Sequence, residues 1–178
     1  IIMWDEWTKG NQSVKNGTLV TVQERMVGTR KLPEGSMQFA TGNLGAEGVG
    51  DTIPAHGRNR FTIVTARKST SEELIEHGIN NNWEPVVLGF VREFPQVLQG
   101  FEDVKDPRDN PYINHPKAQR QSFVTPRSLE ASSNILKKRH LLDDHSLTAL
   151  LIGTIGDRGA LDMMAFVKLA DQLPSLQS

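Results

Sequence analysis

Ile1-Ile2-Met3-Trp4-Asp5-Glu6 decides how the rest of the chain is read. Four apolar residues in a row suit a strand covered on both faces, the kind found in parallel sheets. Two carboxylates follow directly. A buried strand delivers them at its C-terminal tip, where open α/β sheets place their ligands. In nucleoside-triphosphate hydrolysis the first acid of such a pair helps to hold Mg²⁺, and the second polarises the attacking water. A solvated strand end would show the same letters, so the neighbouring segments must decide. Domains seldom begin inside a central strand, because termini usually lie at the surface. The opening therefore reads as the start of a fragment.

Outward from this stretch, Asn11 suits an N-cap, and Val14, Leu19, Val22 and Met26 recur at roughly helical spacing over residues 12–26. Gly17 weakens that helix. Gly28, Pro33 and Gly35 mark a loop or hairpin over 27–38. Met37-Gln38-Phe39-Ala40-Thr41 reads as a second strand ending at Gly42-Asn43. A glycine-rich connection follows over 45–50, without the lysine and Ser/Thr of a phosphate loop. Pro54 suits the start of a short helix, and the β-branched run Phe61-Thr62-Ile63-Val64-Thr65 predicts a third strand.

The character then changes. Ser69 or Ser71 can cap a helix running to about residue 77, with Glu72 and Glu73 in its first turn. Further helices are expected at about 85–94, 126–140, 144–154 and 159–172. In the last of these Leu161, Met164, Ala165 and Leu169 share a face. The polar, proline-containing stretch at about 100–122 is too long for a simple connection. The expected organisation is a strand-containing part over 1–67 and an all-helical part over 68–178.

Composition narrows the functional classes. Twenty Lys and Arg against twenty-one Asp and Glu leave a formal charge of −1, so general attraction to nucleic acid or anionic membrane is absent. No cysteine is present, which excludes disulfides and thiolate chemistry. No apolar run is long enough to span a bilayer and no signal-peptide pattern opens the chain; the expectation is a cytoplasmic protein without a membrane partner. The five histidines show no HExxH spacing. Lys137-Lys138-Arg139-His140 reads as a solvated helical face.

Two further elements carry chemistry. Asn43, at the tip of the second strand, can orient a water and touch a terminal phosphate, because an amide offers both donor and acceptor. At Thr125-Pro126-Arg127, Thr125 suits the N-cap and Pro126 the first turn. A cation at Arg127 opposes the helix dipole unless an anion faces the helix end.

Taken in order, these pieces resemble AAA+ ATPases of the MoxR-like group. The resemblance rests on the opening strand with Asp5-Glu6 (similar to Walker B), Val22-Gln23-Glu24-Arg25, Ala40-Thr41-Gly42-Asn43 (sensor 1), Ile53-Pro54 with Asn59-Arg60-Phe61, and Thr125-Pro126-Arg127 (sensor 2). It covers about residues 1–140. It implies a partial P-loop NTPase α/β sheet of three strands with helices, followed by an all-α lid. ATP and Mg²⁺ would be the cofactors. Asp5 would hold the metal through water, Glu6 would act on the attacking water, and Asn43 and Arg127 would contact nucleotide. Arg60, with Arg58 able to share the task, would reach the nucleotide of a neighbouring subunit. A guanidinium there neutralises charge on the transferring phosphoryl group. The implied assembly is a homo-oligomeric ring, a hexamer in the family, that remodels a protein substrate as a chaperone does, often with a von Willebrand A-type partner.

The departure from the family is the absence of G-x-x-x-x-G-K-[ST] anywhere in the sequence. The expectation is therefore that this chain alone does not hydrolyse ATP and that the intact protein does. The family's sheet order resembles 5-1-4-3-2, so strands 3, 4 and 5 would be present without 1 and 2. The Phe61 strand would then stand apart or slide into the vacant place, and an apolar edge would be left open. Two other classes stay in view: a non-catalytic module binding protein or DNA, in which Asp5, Glu6 and Asn43 need not converge, and a DNA-directed AAA+ motor.

Overall fold

A computed structural model describes residues 1–43, 53, 55–118 and 120–172. The chain divides into two compact units, Ile1–Ala66 and Arg67–Ser178.

In the first unit the apolar opening forms strand β1 (Ile2–Trp4), followed by a 3₁₀ turn at Trp7–Lys9 and helix α1 (Gln12–Glu24). Asn11 caps α1, its side-chain oxygen accepting from the Val14 N–H at 2.9 Å. Of the apolar residues at helical spacing, Leu19 is buried and Val22 and Met26 are half-buried, while Val14 is exposed. Leu19 is buried along with Lys15, Thr18 and Thr21, while Val14 and Val20 are exposed. Strands β2 (Met26–Val27) and β3 (Arg30–Lys31) form an antiparallel hairpin turning at Gly28, whose φ of 59° suits glycine. Strand β4 (Gln38–Ala40) pairs with β1 in parallel, in the register Ile2↔Gln38, Met3↔Phe39 and Trp4↔Ala40. A short helix α2 (Ala55–Arg58) follows. Beneath these elements Trp7 and Leu19 are buried, and the Trp7 ring meets Phe61 at a centroid distance of 5.2 Å.

The third strand does not form: residues 62–70 take no sheet pairing, and Ile63 and Val64 are 55% and 83% exposed. β-branched residues fit a pleated, half-buried surface, but a strand exists only where a neighbour accepts its backbone hydrogen bonds. The sheet is thus a single parallel pair, not three strands. Each of its strands keeps one unpaired edge among the described residues, with Met3 and Phe39 exposed. The glycine-rich stretch at 45–50 and Pro54 lie outside the described residues.

The second unit is helical. Helix α3 (Ser71–Asn80) starts at Thr70, not at Ser69 or Ser71. The Thr70 hydroxyl accepts from the Glu73 N–H, and the Glu73 carboxylate accepts from the Thr70 N–H, a reciprocal capping box. Helix α4 (Pro85–Glu93) places proline at its first position and buries Val86, Val87, Phe90 and Val91. Helix α5 (Pro126–Leu136) is shorter than expected, because the chain tightens into a 3₁₀ turn at Arg139–Leu141.

The last two expected helices form one run, α6 (Asp144–Gln172), broken at Gly156 with φ 78° and ψ 168°. Its core side is Leu147, Leu151, Ile155, Ala160, Met163, Met164 and Val167. Leu161 and Leu169, expected on the packed face, are 63% and 58% exposed. The non-helical residue rotates the second half of the run, so the 3.6-residue pattern must restart there. Phe90, Leu129, Leu136, Leu151, Ile155 and Met163 form the fully buried centre of this unit.

The stretch between α4 and α5 is organised by buried polar groups. The Asn110 amide donates to the Gln96 carbonyl at 2.7 Å and to Gln99 Oε1 at 2.9 Å. Arg120 donates to the carbonyls of Pro111 and Pro107. The Tyr112 hydroxyl donates to Asp162 Oδ2 at 2.7 Å, fastening the stretch to α6. Burial first, and then this bond, raise the tyrosine above its ordinary range.

Candidate functional site

The parallel register of β1 and β4 brings the two strand tips together. Trp4 lies opposite Ala40, so Asp5 runs alongside Thr41. The Thr41 hydroxyl donates to Asp5 Oδ1 at 2.6 Å. The Glu6 N–H is shared between Thr41 Oγ1 at 3.0 Å and Asp5 Oδ1 at 3.1 Å. The backbones are also joined: the Thr41 N–H donates to the Trp4 carbonyl at 3.0 Å, and the Trp7 N–H to the Thr41 carbonyl at 2.9 Å. Asp5 Oδ1 is thus occupied, while Oδ2 has no donor among the described residues.

Gly42 carries the chain past this junction, and it must be glycine: a Cβ there would fall 2.5 Å from Thr8 Cγ2 and 2.7 Å from Thr8 Oγ1. Thr8 is buried, so it has little room to give way. Asp5, Glu6, Thr41 and Asn43 are all exposed.

Glu6 has left-handed backbone geometry, with φ 49° and ψ 35°, a region that non-glycine residues seldom occupy. Its carboxylate is paired with Lys9 Nζ at 2.7 Å. Both partners are well exposed, and exposed pairs of this kind hold weakly. The carboxylate can therefore exchange that partner for a water.

The arginines are placed separately. Arg58 ends α2, its Nε donating to the Ile53 carbonyl at 2.9 Å. Arg60 follows in a turn closed by its own N–H on the Gly57 carbonyl at 3.0 Å, not at the head of a strand as expected. Arg127 belongs to the second unit. It sits exposed in the first turn of α5, where Thr125 Oγ1 accepts from the Ser128 N–H at 3.0 Å and the Thr125 N–H donates to Ser128 Oγ at 2.8 Å.

The structure thus joins Asp5 and Glu6 to Thr41, with Asn43 two residues further along the chain, and places Arg58 at the end of α2 and Arg60 after it in the same unit. Thr41 and Lys9 were missed as partners of the acids. Thr41 was open to detection, since a threonine just before Gly42-Asn43 falls level with Asp5 once the two strands are paired in parallel. Lys9 was not, because its pairing depends on the left-handed turn at Glu6.

Among the described residues, no three His, Asp or Glu side chains converge as a metal cage. Mg²⁺ in nucleotide sites needs none, because it keeps several waters and takes one or two carboxylates plus the phosphates. A single exposed carboxylate, Asp5, with Oδ1 held by Thr41, fits that donor set.

No family model matches this chain, and searches of curated proteins and of solved structures give no significant match. No helix among the described residues is long and apolar enough to cross a membrane.

Proposed function

We propose that this chain is part of an AAA+ ATPase resembling the MoxR-like group, in which ATP binding and hydrolysis drive the remodelling of a protein partner. The observation that carries the reading is the hydrogen-bonded junction of Asp5, Glu6 and Thr41 at the adjacent tips of two parallel strands.

Mg²⁺–ATP, when bound, supplies the phosphoryl group and neutralises charge on it. Asp5, held by Thr41, would hold Mg²⁺ through water by its second carboxylate oxygen. Glu6 releases Lys9 and accepts a proton from the attacking water. Asn43 orients that water by its amide. Arg60, with Arg58 beside it in sequence, acts on the nucleotide of a neighbouring subunit in a ring. Arg127, at the N-terminus of α5, would contact nucleotide by the same resemblance, and the helix dipole there would add to its charge. The protein substrate, a von Willebrand A-type partner and a cytoplasmic setting belong to the same reading.

The test has two parts. The coding frame upstream of Ile1 is sequenced, and an in-frame G-x-x-x-x-G-K-[ST] after an apolar strand is expected. In the protein so extended, Glu6→Gln should lower ATP hydrolysis by about 10²–10⁴-fold while nucleotide binding persists. A start codon at Ile1, or a Glu6→Gln protein that hydrolyses ATP normally, would remove the reading.

A further inference from the structure

We propose that the groove between α3 and α4 docks a short basic amphipathic helix of a partner protein, with two of its aliphatic side chains on the floor and its lysines or arginines along the α3 wall. The proposal uses no residue of the first unit and does not rest on the nucleotide reading.

The groove has a volume of about 350 Å³ and is lined by Ser71, Glu72, Ile75, Glu76 and Ile79 of α3 and Arg92 of α4. Ser71 to Ile79 spans two turns of α3, about 12 Å along its axis. Ile75 and Ile79 are four residues apart and so stand one turn from each other on a single face. Ile75 packs against the edge of the core, but Ile79 is 59% exposed and takes no part in the core. Burial of that side chain by an occupant is favourable. A helix with aliphatic residues at i and i+4 repeats the spacing of the two isoleucines, which is how amphipathic helices engage apolar grooves.

The charges on the two helices sort by side. Glu72 and Glu76, also four apart, set like charges next to each other on the groove side. Glu72 is supported at the helix N-terminus, where hydrogen bonds to the backbone and to Thr70 and Ser71 hold its carboxyl below the ordinary range. Glu76 has no such support and no ion pair among the described residues. Glu73 and His77 leave α3 on its other side. Glu73 is hydrogen-bonded to Arg67 and to the Thr70 N–H, and the His77 ring meets Trp83 edge-on at 5.7 Å. Lys68, ahead of α3, is paired with Glu102. On α4, Glu84 is paired with Arg139, and Glu93 does not line the groove. Arg92 is exposed and in no ion pair among the described residues, and it faces the groove from the α4 side.

This distribution selects the occupant. The two acids repel anionic lipid and the phosphates of nucleic acid, which favours a protein segment. They attract lysine or arginine beside the apolar anchors. Arg92 repels the same cations and so fixes the orientation. The basic residues of the occupant lie along α3, and an acidic residue or the negative end of its helix dipole meets Arg92.

A displayed library of random peptides, selected against the whole immobilised chain at low salt, tests the proposal without assuming a partner. Sequences with aliphatic residues at i and i+4 and lysine or arginine beside them should be enriched. A synthetic peptide of the enriched sequence should bind weakly, because the contact is small. It should shift the NMR methyl signals of Ile75 and Ile79 and lose affinity as salt rises. Glu76→Lys should weaken that peptide by about tenfold or more and turn the selection toward acidic sequences. Ile79→Asp should abolish binding. Both positions are exposed, far-UV circular dichroism checks that each variant folds, and either variant alone decides the outcome. No enrichment over the bare support, enrichment of sequences without basic residues, methyl shifts confined to residues outside the groove, or a basic peptide that binds the variants as it binds wild type would each overturn the proposal.

Discussion

Replacing Gly156 by alanine probes the feature on which the helical unit turns. Gly156 holds φ 78° and ψ 168°, a region essentially closed to L-residues and worth about 1–3 kcal/mol of strain when one is forced into it. An added Cβ would lie 2.6 Å from the Ser122 carbonyl oxygen and 3.3 Å from its carbon. These are backbone atoms, which cannot swing aside, so overpacking adds about 1–3 kcal/mol. Stiffening of the unfolded chain returns about 0.4–1 kcal/mol. The net loss is about 1–5.6 kcal/mol, a large part of the 5–15 kcal/mol that is usual for whole domains.

The kink is also braced. The Ser122 hydroxyl donates to the Gly153 carbonyl at 2.7 Å, in the turn before the break. Urea unfolding followed by far-UV circular dichroism measures the effect, with Gly153→Ala as control. Gly153 is helical and a Cβ there meets nothing within 4 Å. That substitution should be neutral or stabilising by up to about 1 kcal/mol. If Gly156→Ala unfolds at the wild-type urea midpoint, the break does not depend on the glycine and the reasoning fails.

Four further outcomes are expected. Thr125→Ala removes the oxygen that accepts from the Ser128 N–H and should destabilise by about 1 kcal/mol in the same assay, with Thr125→Ser losing much less. Leu151→Ala, at a fully buried position, should cost about 2–5 kcal/mol, whereas Leu161→Ala should stay within about 0.5 kcal/mol; equal losses would contradict the face assigned to α6. The hydrogen bonds of Glu73 to Arg67 and to the Thr70 N–H lower its carboxyl to about 2, so its folded value lies below the unfolded one. The stabilisation it gives is therefore complete above the unfolded value of about 4.3 and lost as pH falls toward about 2. The stability gap between wild type and Glu73→Gln should narrow over that window, and a gap constant with pH would refute it. Thr41→Val removes the donor to Asp5 and one acceptor of the Glu6 N–H, and should speed hydrogen exchange of the Glu6 amide by on the order of tenfold; an unchanged rate would mean that the strand junction does not depend on the hydroxyl.

Local signals in the sequence determined much of the chain. Asn11, Pro85, Thr125 and Pro126 announce helix starts because capping and proline geometry act over three or four residues. The opening apolar run becomes a strand for the same local reason. The two compact units divide between Ala66 and Arg67. Apolar spacing marked α1 and α6 as helices, yet Val14 of α1 and Leu161 and Leu169 of α6 are exposed.

Only tertiary structure decided the rest. Whether residues 61–65 form a strand depends on a neighbour to pair with, which composition does not encode. Which side of α6 is buried depends on one non-helical residue that rotates everything after it. The partnership of Thr41 with Asp5 spans thirty-six positions and exists only because two strands pair in parallel, in one register. Side-chain alternation makes that register decisive, since a slip of one residue would turn both tips away from each other.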